Sequence, residues 1–281
     1  MKLIIFGSGQ GGAMVRRWLS AEHELLAFAD NDSARWGKNV DGIRILSPQE
    51  ALKLQPELIW IAVLNREAEK SICSQLLSMG YTKDIIGLTE IRRNMDIRLA
   101  TLRLLADEVR ERQIPGACAE LGVYRGDLAR ELNALLPDRE LFLFDTFEGF
   151  ADIDIEKEHE LVSSTKAKTG DFCDTSVELV KSRLPHPEKA YFYKGRFPES
   201  APNDLTSLCL VSLDTDLYEP TKQGLEYFYP RMVRGGLILV HDYNSTQFRG
   251  VKQAVREFCS SNGLAIIPVP DLHGSAMVVK Q

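Results

Sequence analysis

"LAIIPV" (264–269) and "SAMVVK" (275–280) are two strand-like runs separated only by "PDLHG" (270–274). Five residues are too few for a parallel crossover, which needs a dozen or more, so the two runs must pair antiparallel. Upstream the pattern differs. Strands read as "ACAEL" (117–121), "ELFLFD" (140–145), "AYFYKG" (190–195), "SLCLVSLD" (207–214) and "GLILVHD" (236–242), with helices over 126–136, 175–184, 219–232 and 249–262. Strands alternating with helices imply a parallel sheet covered on both faces. Together the runs predict an α/β domain over 115–281, with seven strands and an antiparallel ending.

A smaller unit precedes it, over 1–88. "KLIIF", "HELLAFAD", "ELIWIAVL" and "DIIGL" read as strands, with helices from about Gly11 to Ser20 and in "EAEKSICSQLLSMG". This is a Rossmann-like half-domain. Residues 89–114 read as one charged bridging helix, whose stripe of Ile97, Leu99, Leu102, Leu105 and Val109 faces either the domains or the second subunit of a homodimer. Pro115 follows its end.

The chain has 281 residues, 44% hydrophobic and 26% charged, with a net charge of −6, which disfavours a nucleic-acid groove or an anionic membrane surface. No apolar run approaches the roughly 20 residues of a membrane span. Glycines interrupt the first apolar run at once, so it reads as a strand and turn rather than a signal peptide. Five scattered cysteines form no C-x-x-C pair and suit buried thiols in a reducing cytoplasm.

Each unit opens with a strand and a glycine turn. "FGSGQGGAM" (6–14) sets Gly7, Gly9 and Gly12 in a dinucleotide-binding pattern, and Asp30 ends the next strand. Backbone N–H groups can take phosphate there, and the carboxylate can take ribose hydroxyls. Two readings stand level, a nucleotide site and a scaffold whose glycines serve the turn. "FADNDSARWGKNVDGIRILSPQEA" (28–51) resembles the nucleotide-binding domains of sugar acetyltransferases, which hold a nucleotide or nucleotide sugar. Trp36 and Trp60 read as core.

In the second unit Glu120 ends a strand, Gly122, Tyr124 and Gly126 shape the loop after it, and Asp145 ends the next strand ahead of Thr146 and Phe147. One strand-end acid can take an ammonium and the other a pair of ribose hydroxyls, which suits S-adenosylmethionine. Segment 146–174, with Asp171 and Phe172, reads as a cover over the adenosine side. Arg196 and Phe197 lie within possible reach of an adenine, with loop packing the stronger reading. "DIDIEKEHE" (152–160) reads as a solvated loop or short helix.

"IPGACAELGVYRGDLAREL", "LFDTFEGF", "TGDFCDTSVELVKSRL", "YKGRFPES", "SLDTDLYEPTKQGLEYFYPRMVRGGLILVHDYNS" and "GVKQAVREF" follow the order of motifs in the macrolide-type O-methyltransferases. Residues from about 95 to 260 resemble this family of macrocin, mycinamicin and novobiocin sugar methyltransferases. The resemblance implies a class I methyltransferase fold, S-adenosylmethionine as donor, a sugar hydroxyl as acceptor and a divalent metal, usually magnesium. It implies Asp214 as a metal-ligand carboxylate beside the cofactor and Asp216 as general base, with Tyr218 and Glu219 completing the motif. The family has two adjacent acids where this chain has His241 and Asp242. Three readings of His241 stay open. It joins Asp214 and Asp242 around a softer metal, it is itself the base, or it is structural. Rival functions are a nucleotide-dependent oxidoreductase or epimerase, and a non-catalytic binding protein.

Overall fold

The computed structural model describes residues 1–19, 23–94, 96–162, 165–205 and 207–281. The expected helix end at Ser20, Met95 of the bridging segment, and 163–164 of the 146–174 segment lie outside these. The chain divides into two compact units, Met1–Ile97 with Pro270–Leu272, and Arg98–Val269 with His273–Gln281.

The first unit holds strands β1 (Lys2–Phe6), β2 (Glu24–Ala29), β3 (Asn39–Val40), β4 (Ile43–Leu46), β5 (Leu58–Ile61) and β6 (Asp84–Gly87) in the order β3-β4-β2-β1-β5-β6. All pairs are parallel except β3–β4. β3 and β4 were not foreseen. They are two and four residues long; β4 takes its register from Phe28 and Ala29 of β2, and β3 takes its own from β4, partners that periodicity cannot show. Trp36, expected in the core, is 41% exposed, and its ring N–H donates to the Asp30 carbonyl at 2.8 Å. Pro270–Leu272, expected with the second unit, packs with the first, where Trp18 donates to the Pro270 carbonyl and Gln10 to that of Leu272.

The bridging segment is two helices, Leu88–Asn94 and Ile97–Glu111, and not one. Asn94 and Asp96 are residue types that favour helix ends, because their side chains compete for nearby backbone groups. The stripe of the second helix is buried in its own unit: Leu102, Leu105 and Val109 join Cys118, Leu141 and Leu143 in one core cluster.

The second unit contains β7 (Ala117–Leu121), β8 (Leu141–Asp145), β9 (Ala190–Lys194), β10 (Leu208–Leu213), β11 (Met232–Val240), β12 (Ile267–Pro268) and β13 (Ala276–Val279), ordered β12-β13-β11-β10-β7-β8-β9. β13 runs antiparallel to β11 and β12, as its short connection requires. β12 is cut to two residues, since Pro268 and Pro270 cannot donate to a ladder. All six residues of β10 are buried, as a strand covered on both faces demands. From β7 the chain winds outward through β8 and β9, then returns to build β10 and β11 on the other side. The crevice therefore opens at the carboxyl ends of β7 and β10.

The charged run 152–160 forms a helix, Asp152–Leu161, with Asp154 and Glu158 buried. Arg196 holds Asp154 through two bonds of 2.7 and 3.2 Å, and Glu158 accepts from the Tyr218 backbone N–H at 2.7 Å. Arg196 is thus engaged with Asp154, and Phe197 is 5% exposed, stacked on Phe228 and edge-on to Phe144.

Candidate active site

Four strand ends of the second unit carry the acids. β7 delivers Glu120, β8 Asp145, β10 Asp214 and Asp216, and β11 Asp242 after His241. The turn after β7 is tight because Gly122, at φ +84°, lets the chain pass the Asp214 carbonyl, where a Cβ would stand at 2.0 Å. Gly126, at φ +76°, packs on Val180 in the same way. These glycines allow close approach of the protein to itself at the turn.

Glu120 is 1% exposed, and its Oε2 has no hydrogen-bond partner among the described residues. Burial pushes its carboxyl well above the ordinary range; Arg98 opposes this, while Asp214 and Asp145 add to it. Asp145 accepts from the Tyr124 N–H at 2.8 Å and the Phe147 N–H at 2.6 Å. One carboxylate therefore joins both loops at the crevice, and each oxygen keeps a lone pair for a further donor. The Thr146 hydroxyl donates to the Gly149 carbonyl. The Asp171 carboxylate accepts from the Lys168 N–H within its own turn, and Phe172 packs edge-on to Tyr124 and Phe150.

Asp214 is gripped from two sides, with Oδ2 accepting from Arg98 at 2.9 Å and Oδ1 lying 2.8 Å from His241 Nδ1. Burial works against its charge, but Arg98 and His241 outweigh it and hold the carboxyl far below its usual range. His241 Nδ1 also lies 2.7 Å from Asp242 Oδ2. Burial disfavours a charged ring there, yet Asp214 and Asp242 push the imidazole up to about 10. For Asp216, burial and then repulsion from Asp242 and Asp214 drive the carboxyl well above its normal value. Asp216 and Asp242 both sit in the left-handed region, at φ +62° and +56°, a strain that concentrates at functional sites.

A buried acceptor without a donor fits a ligand ammonium, so the pair Glu120 and Asp145 suits the amino-acid and ribose ends of S-adenosylmethionine. Metal donors also converge. Asp214, Asp216 and Asp242 form one group, and His241, Asp242 and His273 another, with donor atoms in each within 4.8 Å of one another. Arg98 and His273 had no sequence signal. Arg98 opens a helix dense in surface charge, and His273 is a single residue of the hairpin loop.

In the first unit Gly12 lies where a Cβ would meet the Gly7 carbonyl at 2.0 Å, while Gly9 faces open space except for Arg35 Nη1 at 3.8 Å. Asp30 accepts from the Ser8 N–H and hydroxyl and from the Asp32 N–H. Burial opposes its charge, but these bonds hold the carboxyl below its ordinary value.

Among solved structures, the O-methyltransferase NovP superposes with TM-score 0.55 at 24% identity, over 66% of this chain and 80% of that one. CalS11, a calicheamicin methyltransferase, gives 0.54 at 20% identity, over 77% and 94%. These likenesses establish the fold. A Streptomyces olivaceus 8-demethyl-8-(2,3-dimethoxy-alpha-L-rhamnosyl)-tetracenomycin-C 4'-O-methyltransferase is 24% identical over 190 residues, 64% of this chain and 71% of its own length. The demethyldecarbamoylnovobiocin O-methyltransferase of Streptomyces niveus is 26% identical over 156 residues, 52% of this chain and 60% of its own. Residues 1–86 match the family model described as C2185-like, N-terminal. Residues 77–276 match that of macrocin-O-methyltransferase (TylF), and on that match, which covers most of the chain and its whole crevice, the protein belongs to the macrocin O-methyltransferase family of oxygen-methylating enzymes.

Proposed function

We propose that the protein transfers the methyl group of S-adenosylmethionine to a hydroxyl of a sugar or glycosylated metabolite, in a cytoplasmic setting that suits its five free cysteines. The observation that carries this reading is the buried Glu120, whose Oε2 has no hydrogen-bond partner among the described residues, with Asp145 at the end of the next strand of the crevice that Asp214 and Asp216 also enter. Glu120 takes the ammonium of the cofactor and Asp145 the ribose hydroxyls. Gly122, Tyr124, Gly126, Thr146 and Phe147 shape the loops that those two acids fasten.

The cofactor supplies an electrophilic methyl group on a sulfonium whose charge disappears on transfer. No acid is therefore needed for the leaving group, and the chain has only to align the nucleophile and remove its proton. Asp214, fixed by Arg98 and His241, anchors the acceptor. Asp216 is the better base, since it is only partly buried, whereas His241 is 8% exposed with its Nδ1 turned to two carboxylates. Curated relatives named for rhamnosyl and novobiocin substrates support the acceptor class. The open face of Gly9, the helix Gln10–Trp18 behind it and Asp30 support a nucleotide on the first unit, and hence a nucleotide sugar as acceptor.

Calorimetry of the full chain with S-adenosylhomocysteine tests the donor. Binding by the wild type and its loss in Asp145→Ala is the expected result; a wild type that does not bind ends the reading. Turnover against UDP-, GDP- and TDP-sugars, followed by mass spectrometry, then tests the acceptor.

A further inference from the structure

Two imidazoles surround Asp242: His241, which the mechanism uses only to hold Asp214, and His273, to which it gives no task. His241 closes β11, and His273 arrives from the hairpin between β12 and β13. Their rings lie 4.8 Å apart, tilted by 38°. Both turn Nδ1 toward the same carboxylate, His241 at 2.7 Å from Oδ2 and His273 at 3.3 Å from Oδ1. Asp242 is 2% exposed, and its Oδ1 accepts no well-aligned hydrogen bond among the described residues. A hydrogen-bonded cluster at that depth would satisfy the oxygen, because an orphaned buried acceptor is costly. Donor atoms that lie within 4.8 Å of one another, as those of His241, Asp242 and His273 do, are placed to act as neighbouring ligands of an ion held at about 2.0–2.2 Å. Asp214 Oδ1, 2.8 Å from His241 Nδ1, supplies a fourth donor while its Oδ2 stays on Arg98.

We propose that His273, together with His241, Asp242 and Asp214, forms a two-nitrogen, two-oxygen site for a borderline divalent transition ion of the zinc, manganese or iron class. Two imidazoles in the set disfavour magnesium, which demands oxygen ligands and keeps its water. The nitrogens bind such an ion unprotonated, so any protons they carry pass to solvent on loading. The ion would neutralise the acids next to Asp216, on the acceptor side of the crevice.

Cobalt(II) is the probe. The chelator-stripped full chain is titrated while the visible bands that report nitrogen ligation are followed, and calorimetry compares cobalt(II) with magnesium. One cobalt per chain, much weaker magnesium binding, and a loss of about 10-fold or more in cobalt affinity in His273→Ala are expected. Magnesium binding as tight as cobalt, no cobalt binding, or an unchanged affinity in His273→Ala overturns the site. The comparison of ions uses the wild type alone, so it survives a variant that does not fold. S-adenosylhomocysteine binding by the same samples reads the donor site separately, which keeps a failure here distinct from a failure of the proposed function.

Discussion

Glu120 shows what one buried side chain contributes and costs. The fold places an acid in the sheet interior with one oxygen unpartnered among the described residues, and burial lifts its carboxyl well above the ordinary range. The folded chain therefore holds that proton to higher pH than the unfolded chain does. As pH rises past the unfolded value of about 4.3, this group takes stability away until its folded value is passed. Glu120→Gln removes that cost. Its melting temperature should exceed that of the wild type at about pH 8 and approach it near pH 4, while S-adenosylhomocysteine binding weakens. Thermal scans across pH and calorimetry check both arms; a variant less stable than the wild type at the higher pH would contradict the account. The acid's place at a strand end was legible in "ACAEL", but its lack of a partner was not, because partners come from other elements.

At the scale of elements, the helix Asp152–Leu161 is the instructive case. Its sequence is almost all charge, and nothing in its periodicity marks an inner face. What buries Asp154 and Glu158 is supplied from outside, by Arg196 after β9 and by the start of the helix Tyr218–Phe228. Glu158 also lies against the helix Arg249–Asn262 at Gly250, where a Cβ would stand 2.4 Å from its Oε2. One carboxylate thus meets the N-terminal ends of the helices that follow the two acid-bearing loops, where the helix dipole favours negative charge. Glu158→Ala strands the Tyr218 N–H and should cost about 1–3 kcal/mol in urea unfolding. Glu158→Gln, which keeps an acceptor oxygen, should recover part of that loss. Equal stability of the alanine variant and the wild type would show that the latch is not energetically significant.

For the whole molecule, the two units repeat one device with different residues. In each, an acid at the end of the second strand accepts N–H bonds from the glycine turn after the first, Asp30 from Ser8 and Asp145 from Tyr124. If each crevice holds its own ligand, the sites separate by mutation. Asp30→Ala should abolish calorimetric binding of UDP, GDP or TDP and leave S-adenosylhomocysteine affinity unchanged, and Asp145→Ala should do the reverse. A first unit that binds none of the nucleotides would be a scaffold. Among the described residues no helix is long and apolar enough to cross a membrane.

The sequence by itself determined the alternation of strands and helices, the antiparallel ending, the glycine turns and the acids at the strand ends. These follow from local rules: periodicity, the length of a connection, and the sterics of glycine. Only the tertiary structure decided that Arg98 grips Asp214, that His273 joins His241 on Asp242, and that a run of charge becomes a buried latch. Each depends on a partner distant in the chain, and charge–charge contact at close range leaves no periodic trace in either segment that makes it.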